Sequence, residues 1–286
     1  MTPPARSTSI APRPGAAAST PGTVRLSVVV PAYREPRIGD TVHELRAALH
    51  DIDRHGGLEI VVVDDGSGDD TPSRAAAAGA DRVIRQPANR GKGAAVRAGV
   101  LAATGRTIAF TDADLAYSPD QLLGLLDQVE LGWDAVVGSR HHAATRTIAE
   151  PSMIRRLGHR VIHTCTTAVL RDDHADTQCG LKAFRADVAH AVFGCGRIDG
   201  FAFDVEVFHL IEHFDCSVLE VPVWVEHSST STVRVGRDAV ALLRDLLRIR
   251  RWSRAGAYRR ADRAVPGPKV SASAGGAPSR PAGRGT

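Results

Sequence analysis

The chain has 286 residues, 43% hydrophobic and 24% charged, the composition of an ordinary soluble globular protein of one large or two small domains. Its formal charge of +4 is unevenly placed: residues 1–22 carry +2, residues 253–286 carry +6, and residues 23–252 carry −4. The basic character belongs to the ends, which argues against nucleic acid as a partner of the central region.

No segment approaches the ~18 consecutive apolar residues of a membrane span, and Met1–Gly22 has no apolar run of the secretory-signal type. Cys165, Cys179, Cys195 and Cys216 show neither CxxC pairing nor a His at zinc-finger spacing, so they read as reduced thiols of a cytosolic protein. Both ends lack hydrophobic periodicity. The expected organisation is a disordered tail over 1–22, one domain over 23–252, and a disordered basic tail over 253–286.

Between the tails, strand and helix patterns alternate. Leu26–Val30 reads as a buried strand, followed by a helix with a Thr41-x-x-Glu44 capping box. Glu59–Val63 is a second strand and Thr71–Ala78 a helix with Pro72 in its first turn. Asp81–Arg85 is a short strand, Lys92–Ala103 an Ala-rich helix, Thr107–Thr111 a strand, Pro119–Glu130 a helix and Ala135–Gly138 a strand. Such repetition predicts an α/β fold with a mostly parallel sheet covered on both faces. Further on, Ser152–Leu170 and Phe203–Phe214 read as helices, Val218–Val225 as a strand, and Arg237–Trp252 as an amphipathic helix.

Ligands of a parallel α/β sheet bind beyond the carboxyl ends of its strands. Polar clusters stand at five of those ends: Tyr33-Arg34-Glu35, Asp64-Asp65-Gly66-Ser67, Asn89-Arg90-Gly91-Lys92-Gly93, Asp112-Ala113-Asp114 and Gly138-Ser139-Arg140. One alone is an ordinary polar loop; five on one edge mark an active site. A dinucleotide fingerprint is absent, since Pro31–Arg37 contains no Gly. A Walker loop is absent too, since Gln86 stands where its first Gly belongs. Asp112 and Asp114 offer hard oxygen ligands suited to Mg²⁺ or Mn²⁺, which bind through one or two carboxylates plus substrate phosphates. An acidic pair also caps helices, and Pro119 opens one nearby.

Taken together, Val28–Glu35, Val63–Ser67, Asn89–Gly93 and Asp112–Asp114 resemble the family-2 glycosyltransferases with the GT-A nucleotide-diphospho-sugar fold. The resemblance covers about residues 25–252. Within that family, Asp176–Lys182 and Asp199–Asp204 look like the polyprenyl-phosphate sugar transferases, dolichyl-phosphate β-glucosyltransferases and their bacterial relatives. The resemblance implies that Glu35 and Asp65 hold the nucleoside with Asp64 in support, that Asp112 faces ribose and diphosphate, and that Asp114 ligates the metal. Lys92 and the Gly91–Gly93 backbone would line the diphosphate at a helix N-terminus, or Lys92 is a solvated first-turn lysine.

The implied reaction is inverting transfer of a hexose from a nucleotide sugar, UDP-linked, to polyprenyl phosphate, for cell-envelope glycosylation. An acceptor phosphate is already ionised and needs cations rather than a base; Arg140, Arg155, Arg156 and Arg234 match the family's arginines for it. Asp176 is expected to touch donor or acceptor sugar, or to hold a turn. The expected location is cytoplasmic and peripheral, on the inner face of the plasma membrane. There the basic amphipathic helix, with Arg237, Arg244, Arg248 and Arg251 on its polar half, would lie in the headgroup plane or pack on the core. Rival readings are a family-2 transferase with a soluble or polysaccharide acceptor, and a nucleotidyltransferase making the sugar nucleotide.

Overall fold

Strand-forming apolar runs flanked by helices assemble here into one seven-stranded sheet. The computed structural model describes residues 24–147 apart from 56, 141 and 143, then 179–225 and 235–258. The strands are β1 (Leu26–Ala32), β2 (Leu58–Asp64), β3 (Arg82–Arg85), β4 (Thr107–Phe110), β5 (Ala135–Ser139), β7 (Lys182–Arg185) and β8 (Val218–Pro222), in the order β3-β2-β1-β4-β7-β5-β8. A short parallel pair, β6 (Arg146–Thr147) with β9 (Trp224–Val225), stands apart. The helices are α1 (Ile38–Ala48), α2 (His50–Asp53), α3 (Thr71–Ala77), α4 (Lys92–Ala102), α5 (Gln121–Glu130), α6 (Ala186–Cys195), α7 (Phe203–His213) and α8 (Val235–Arg254).

The expected mostly parallel, doubly covered sheet is what forms. β1, β2, β4 and β5 are buried along almost their whole length, which is why they read as unbroken apolar runs rather than alternating ones. One face packs Val29, Val61, Phe110 and Phe184 against α4, α6, α7 and α8; the other packs Val28, Val30, Val62 and Val136 against α1 and α5. Phe110, Phe184, Phe193 and Phe203 form an aromatic knot in the first layer, with ring centroids 5.7–6.3 Å apart.

Four sequence expectations are corrected. β7 was not foreseen: it runs antiparallel between β4 and β5, pairing Phe110 with Lys182 and Val137 with Lys182. The capping box fails because α1 begins at Ile38, one turn earlier. Thr41 lies inside it and donates its hydroxyl to the Ala113 carbonyl at 2.6 Å, tying α1 to the turn after β4. Val218–Val225 breaks after Pro222, and its two halves join different sheets. The last helix runs Val235–Arg254, past Trp252, and Tyr258 beyond it is buried, its hydroxyl donating to Glu206 Oε1 at 2.7 Å. The 152–170 helix lies outside the described residues.

At the amino-terminal edge of the sheet, buried carboxylates are saturated. Glu59 Oε2 accepts from Ser27 Oγ, Thr104 N and Thr104 Oγ1. Asp134 receives Arg185 Nη1 and the Ser217 amide. These groups join strand beginnings and have little capacity left for a ligand. The opposite edge differs.

Candidate active site

All five polar clusters converge on the carboxyl edge, and each is held there by local bonding. Arg34 adopts φ of +51°, and its amide donates to Ser67 Oγ at 2.7 Å, stapling the loop after β1 to the loop after β2. The Glu35 amide donates to Thr71 Oγ1 at 3.1 Å, while its Oε1 accepts from the Arg37 amide at 3.1 Å. Asp64 Oδ1 takes the Ser67 amide at 3.2 Å, closing the turn. Asp65 is engaged on both oxygens: Oδ1 accepts from Arg90 N at 2.9 Å and Oδ2 from Gly91 N at 2.8 Å. Asp65 therefore shapes the approach to α4, and each of its oxygens keeps a second lone pair.

That approach is tight. Gly91 sits at φ +112°, and a Cβ on it would stand 2.6 Å from the Asp199 carbonyl. Only glycine meets both conditions. The same carbonyl accepts from Ala94 N at 3.1 Å, so the 196–200 loop closes over the start of α4. The Asp199 carboxylate receives Arg90 Nη2 at 2.9 Å and also Arg97. Burial pushes the Asp199 carboxyl up, but the Arg97 and Arg90 hydrogen bonds outweigh it and hold it below the usual carboxylate range. Asp199 is thus an anion at neutral pH. It is a lock on the loop, a role that sequence reasoning left unassigned.

Lys92, first residue of α4, places its ammonium on Asp112 Oδ1. Burial favours the neutral amine, yet Asp112, Asp204 and Asp114 together raise its pKa, so it stays charged. Asp112 is half-buried, and Gly180 presses on it: a Cβ there would come 2.2 Å from Asp112 Oδ2. Asp114 is exposed, its Oδ1 accepting only from the Ala116 amide at 3.3 Å among the described residues. Arg140 follows β5 and is half-buried beside buried Ser139. The structure thus brings Glu35, Asp64, Asp65, Lys92, Asp112, Asp114 and Arg140 to one edge. Asp176, Arg155, Arg156 and Arg234 lie outside the described residues.

The unforeseen strand β7 supplies two further groups. Because β7 is antiparallel, its first residue, Lys182, arrives at the same edge as the last residues of its neighbours. Lys182 is wholly buried, donating to Asp204 Oδ1 at 2.6 Å and to the Cys179 carbonyl at 2.7 Å, with the Phe110 and Phe208 rings 5.3 and 5.8 Å away. Burial raises the Asp204 carboxyl, an effect that Lys182 and Lys92 oppose. A buried cation of this kind survives only when paired and hydrogen-bonded. By holding the Cys179 carbonyl, it fixes the backbone that puts Gly180 against Asp112.

A divalent cation fits these residues. Asp112 and Asp114 offer hard oxygens, and the Lys92 ammonium already shows a positive charge accommodated among them. Among the described residues no group of three or more His, Cys, Asp or Glu gathers.

A mostly parallel sheet with an acidic pair after the central strand and a glycine-bounded helix N-terminus beside it is the arrangement of a nucleotide-sugar transferase of GT-A type. The model for Glycosyl transferase family 2 matches residues 27–193, and the chain belongs to that family. Among similar proteins, a dolichyl-phosphate β-glucosyltransferase of Drosophila melanogaster is 35% identical, covering 76% of this chain and 73% of its own. The Homo sapiens enzyme of that name is 32% identical, covering 83% and 78%. Glucosyl-3-phosphoglycerate synthase of Mycobacterium tuberculosis, solved with Mn²⁺, UDP and glucosyl-3-phosphoglycerate, superposes with a TM-score of 0.59 at 23% identity over 80% of each chain. That likeness establishes the shared fold. The chain is a glycosyltransferase of hexosyltransferase type.

Proposed function

We propose that the protein transfers a hexose from a UDP-sugar to polyprenyl phosphate at a membrane surface, with inversion at the anomeric carbon. The observation that carries the donor half is the Lys92–Asp112–Asp114 group at the start of α4, an anion site and a cation site side by side. Similarity to proteins named dolichyl-phosphate β-glucosyltransferases, over three-quarters or more of the chain, supports the acceptor. Glu35, Asp64 and Asp65 frame the nucleoside end, and Lys92 with the amides behind Gly91 receives the diphosphate. A divalent cation held by Asp112 and Asp114 would neutralise charge on the departing nucleoside diphosphate. Arg140 orients the acceptor phosphate, which attacks as an anion already formed at neutral pH.

Incubation with polyprenyl phosphate and a panel of UDP- and GDP-sugars should give a lipid-extractable glycosyl phosphate and free UDP. A water-soluble glycoside would favour a soluble acceptor, and pyrophosphate release would favour nucleotidyl transfer. In the same assay, Arg140→Ala should raise the polyprenyl-phosphate requirement about tenfold, as loss of one charge-assisted contact does, with the UDP-sugar KM unchanged. Lost donor binding would move Arg140 to the other subsite.

Helix α8 supports delivery to a lipid surface. Leu242, Leu246 and Ile249 are buried in the core, whereas Leu243 and Leu247, one stripe further round, are 51% and 61% exposed. Exposed Arg244, Arg250, Arg251 and Arg254 surround that pair. Each Arg near an anionic bilayer adds about 1 kcal/mol. Leu243→Glu with Leu247→Glu should abolish sedimentation with anionic vesicles while the melting temperature holds, since neither side chain is in the core. Undiminished vesicle binding would place the membrane contact elsewhere. No helix among the described residues is long and apolar enough to cross a membrane.

A further inference from the structure

Lys92 stands between two anionic demands. As the first residue of α4 it belongs to the helix N-terminus that suits a diphosphate, yet its ammonium rests on Asp112 Oδ1 with Asp114 and Asp204 close enough to reinforce its charge. Among the described residues Lys92 is the one side chain bonded to the Asp112 carboxylate, unlike Asp65, which is tied by two amides, or Glu59, tied by Ser27 and Thr104. The Lys92 side chain is one-fifth exposed and has a flexible four-carbon stem, so it is free to change partners in a way that buried Lys182 is not. A divalent cation on Asp112 and an ammonium on the same oxygen repel each other strongly.

We propose that Lys92 is a placeholder for the divalent cation: without nucleotide it occupies the Asp112 carboxylate, and the donor's diphosphate draws it off, so that cation and nucleotide load together. The inference rests on the donor-site reading above and deepens it. It gives the nucleotide-free protein a neutralised site with little appetite for metal. It also makes the metal's affinity a reporter of where Lys92 points. By linkage, whatever factor the nucleotide adds to metal affinity, the metal adds to nucleotide affinity.

The test is Mn²⁺ binding to the full chain, followed by titration calorimetry and by the spin-resonance signal of free Mn²⁺, with and without UDP. In the wild type, UDP should tighten Mn²⁺ binding on the order of 10- to 100-fold. In Lys92→Gln, and again in Lys92→Met, nucleotide-free Mn²⁺ binding should tighten about tenfold, and the UDP enhancement should shrink by that factor. Arg85→Gln removes a positive charge from the exposed end of β3 at the same sheet edge and has no part in the site, so its UDP enhancement should equal that of the wild type. An enhancement in the Lys92 variants equal to the wild type's would mean that Lys92 keeps Asp112 in both states, which overturns the proposal alone. An equal shift in Arg85→Gln would overturn it as well, by showing general charge rather than occupancy. A wild type that binds no Mn²⁺ even with UDP would instead overturn the donor-site reading and the placeholder with it.

Discussion

Asp114→Asn should reduce turnover on the order of 10²-fold or more, the scale of losing one preorganised electrostatic stabiliser of the leaving group. The substitution is nearly isosteric. The Asn side-chain oxygen still accepts the Ala116 amide that Asp114 Oδ1 accepts now at 3.3 Å, so the turn persists and only the charge is lost. Asp114 is exposed, so stability should stay within about 0.5 kcal/mol of wild type. In parallel, EDTA should abolish wild-type turnover and Mn²⁺ or Mg²⁺ should restore it. Full turnover in EDTA, or an active Asp114→Asn protein, would refute the assignment of Asp114 to the cation.

Gly180→Ala should be comparably damaging, although it adds one methyl group to a residue with no chemistry of its own. The added carbon would stand 2.2 Å from Asp112 Oδ2 and 2.8 Å from Cγ, distances at which the carboxylate must rotate away. The backbone of residue 180 has little freedom to yield, because buried Lys182 holds the adjoining Cys179 carbonyl at 2.7 Å and is itself fixed to Asp204. Displacing a charge-positioning group by about an ångström costs on the order of 10²-fold in rate. Steady-state kinetics alongside a thermal melt would separate this from unfolding: the expected protein is folded and slow. A folded Gly180→Ala enzyme with wild-type rates would show that Asp112 has room to move, and that its position is unimportant.

Much of this edge could be read from the chain because parallel strands announce themselves. Buried runs such as Val28-Val29-Val30 and Val61-Val62-Val63 end abruptly in polar clusters, and topology places those ends together. β7 was illegible for the opposite reason. It is four residues long, starts with a lysine, and sits between two partners far away in sequence, so no local pattern marks it. Lys182 and Asp204 end the two stretches, Asp176–Lys182 and Asp199–Asp204, that the resemblance singles out, but their pairing stayed hidden, since a buried ion pair between a strand and a helix 22 residues apart leaves no local pattern. Thr41 misled because a Thr-x-x-Glu spacing resembles a cap, whereas its hydroxyl serves the tertiary contact with Ala113. The division of α8 into a core stripe and an exposed Leu243–Leu247 stripe depends on what the helix packs against, which periodicity alone leaves open.

The antiparallel insertion of β7 also governs when the protein becomes whole as it is made. β4 and β5 are neighbours in sequence but never touch as strands; each waits for a partner some 50 to 75 residues further along. A chain elongating from its amino end can pair β1, β2, β3 and β4 early, yet it keeps an open strand edge at Thr107–Phe110 until Lys182–Arg185 has been synthesised. Long-range pairing of this sort is slow and leaves unpaired edges exposed meanwhile. The strand that closes the sheet is also the one that seats Gly180 against Asp112, so sheet closure and the final placement of that carboxylate are one event.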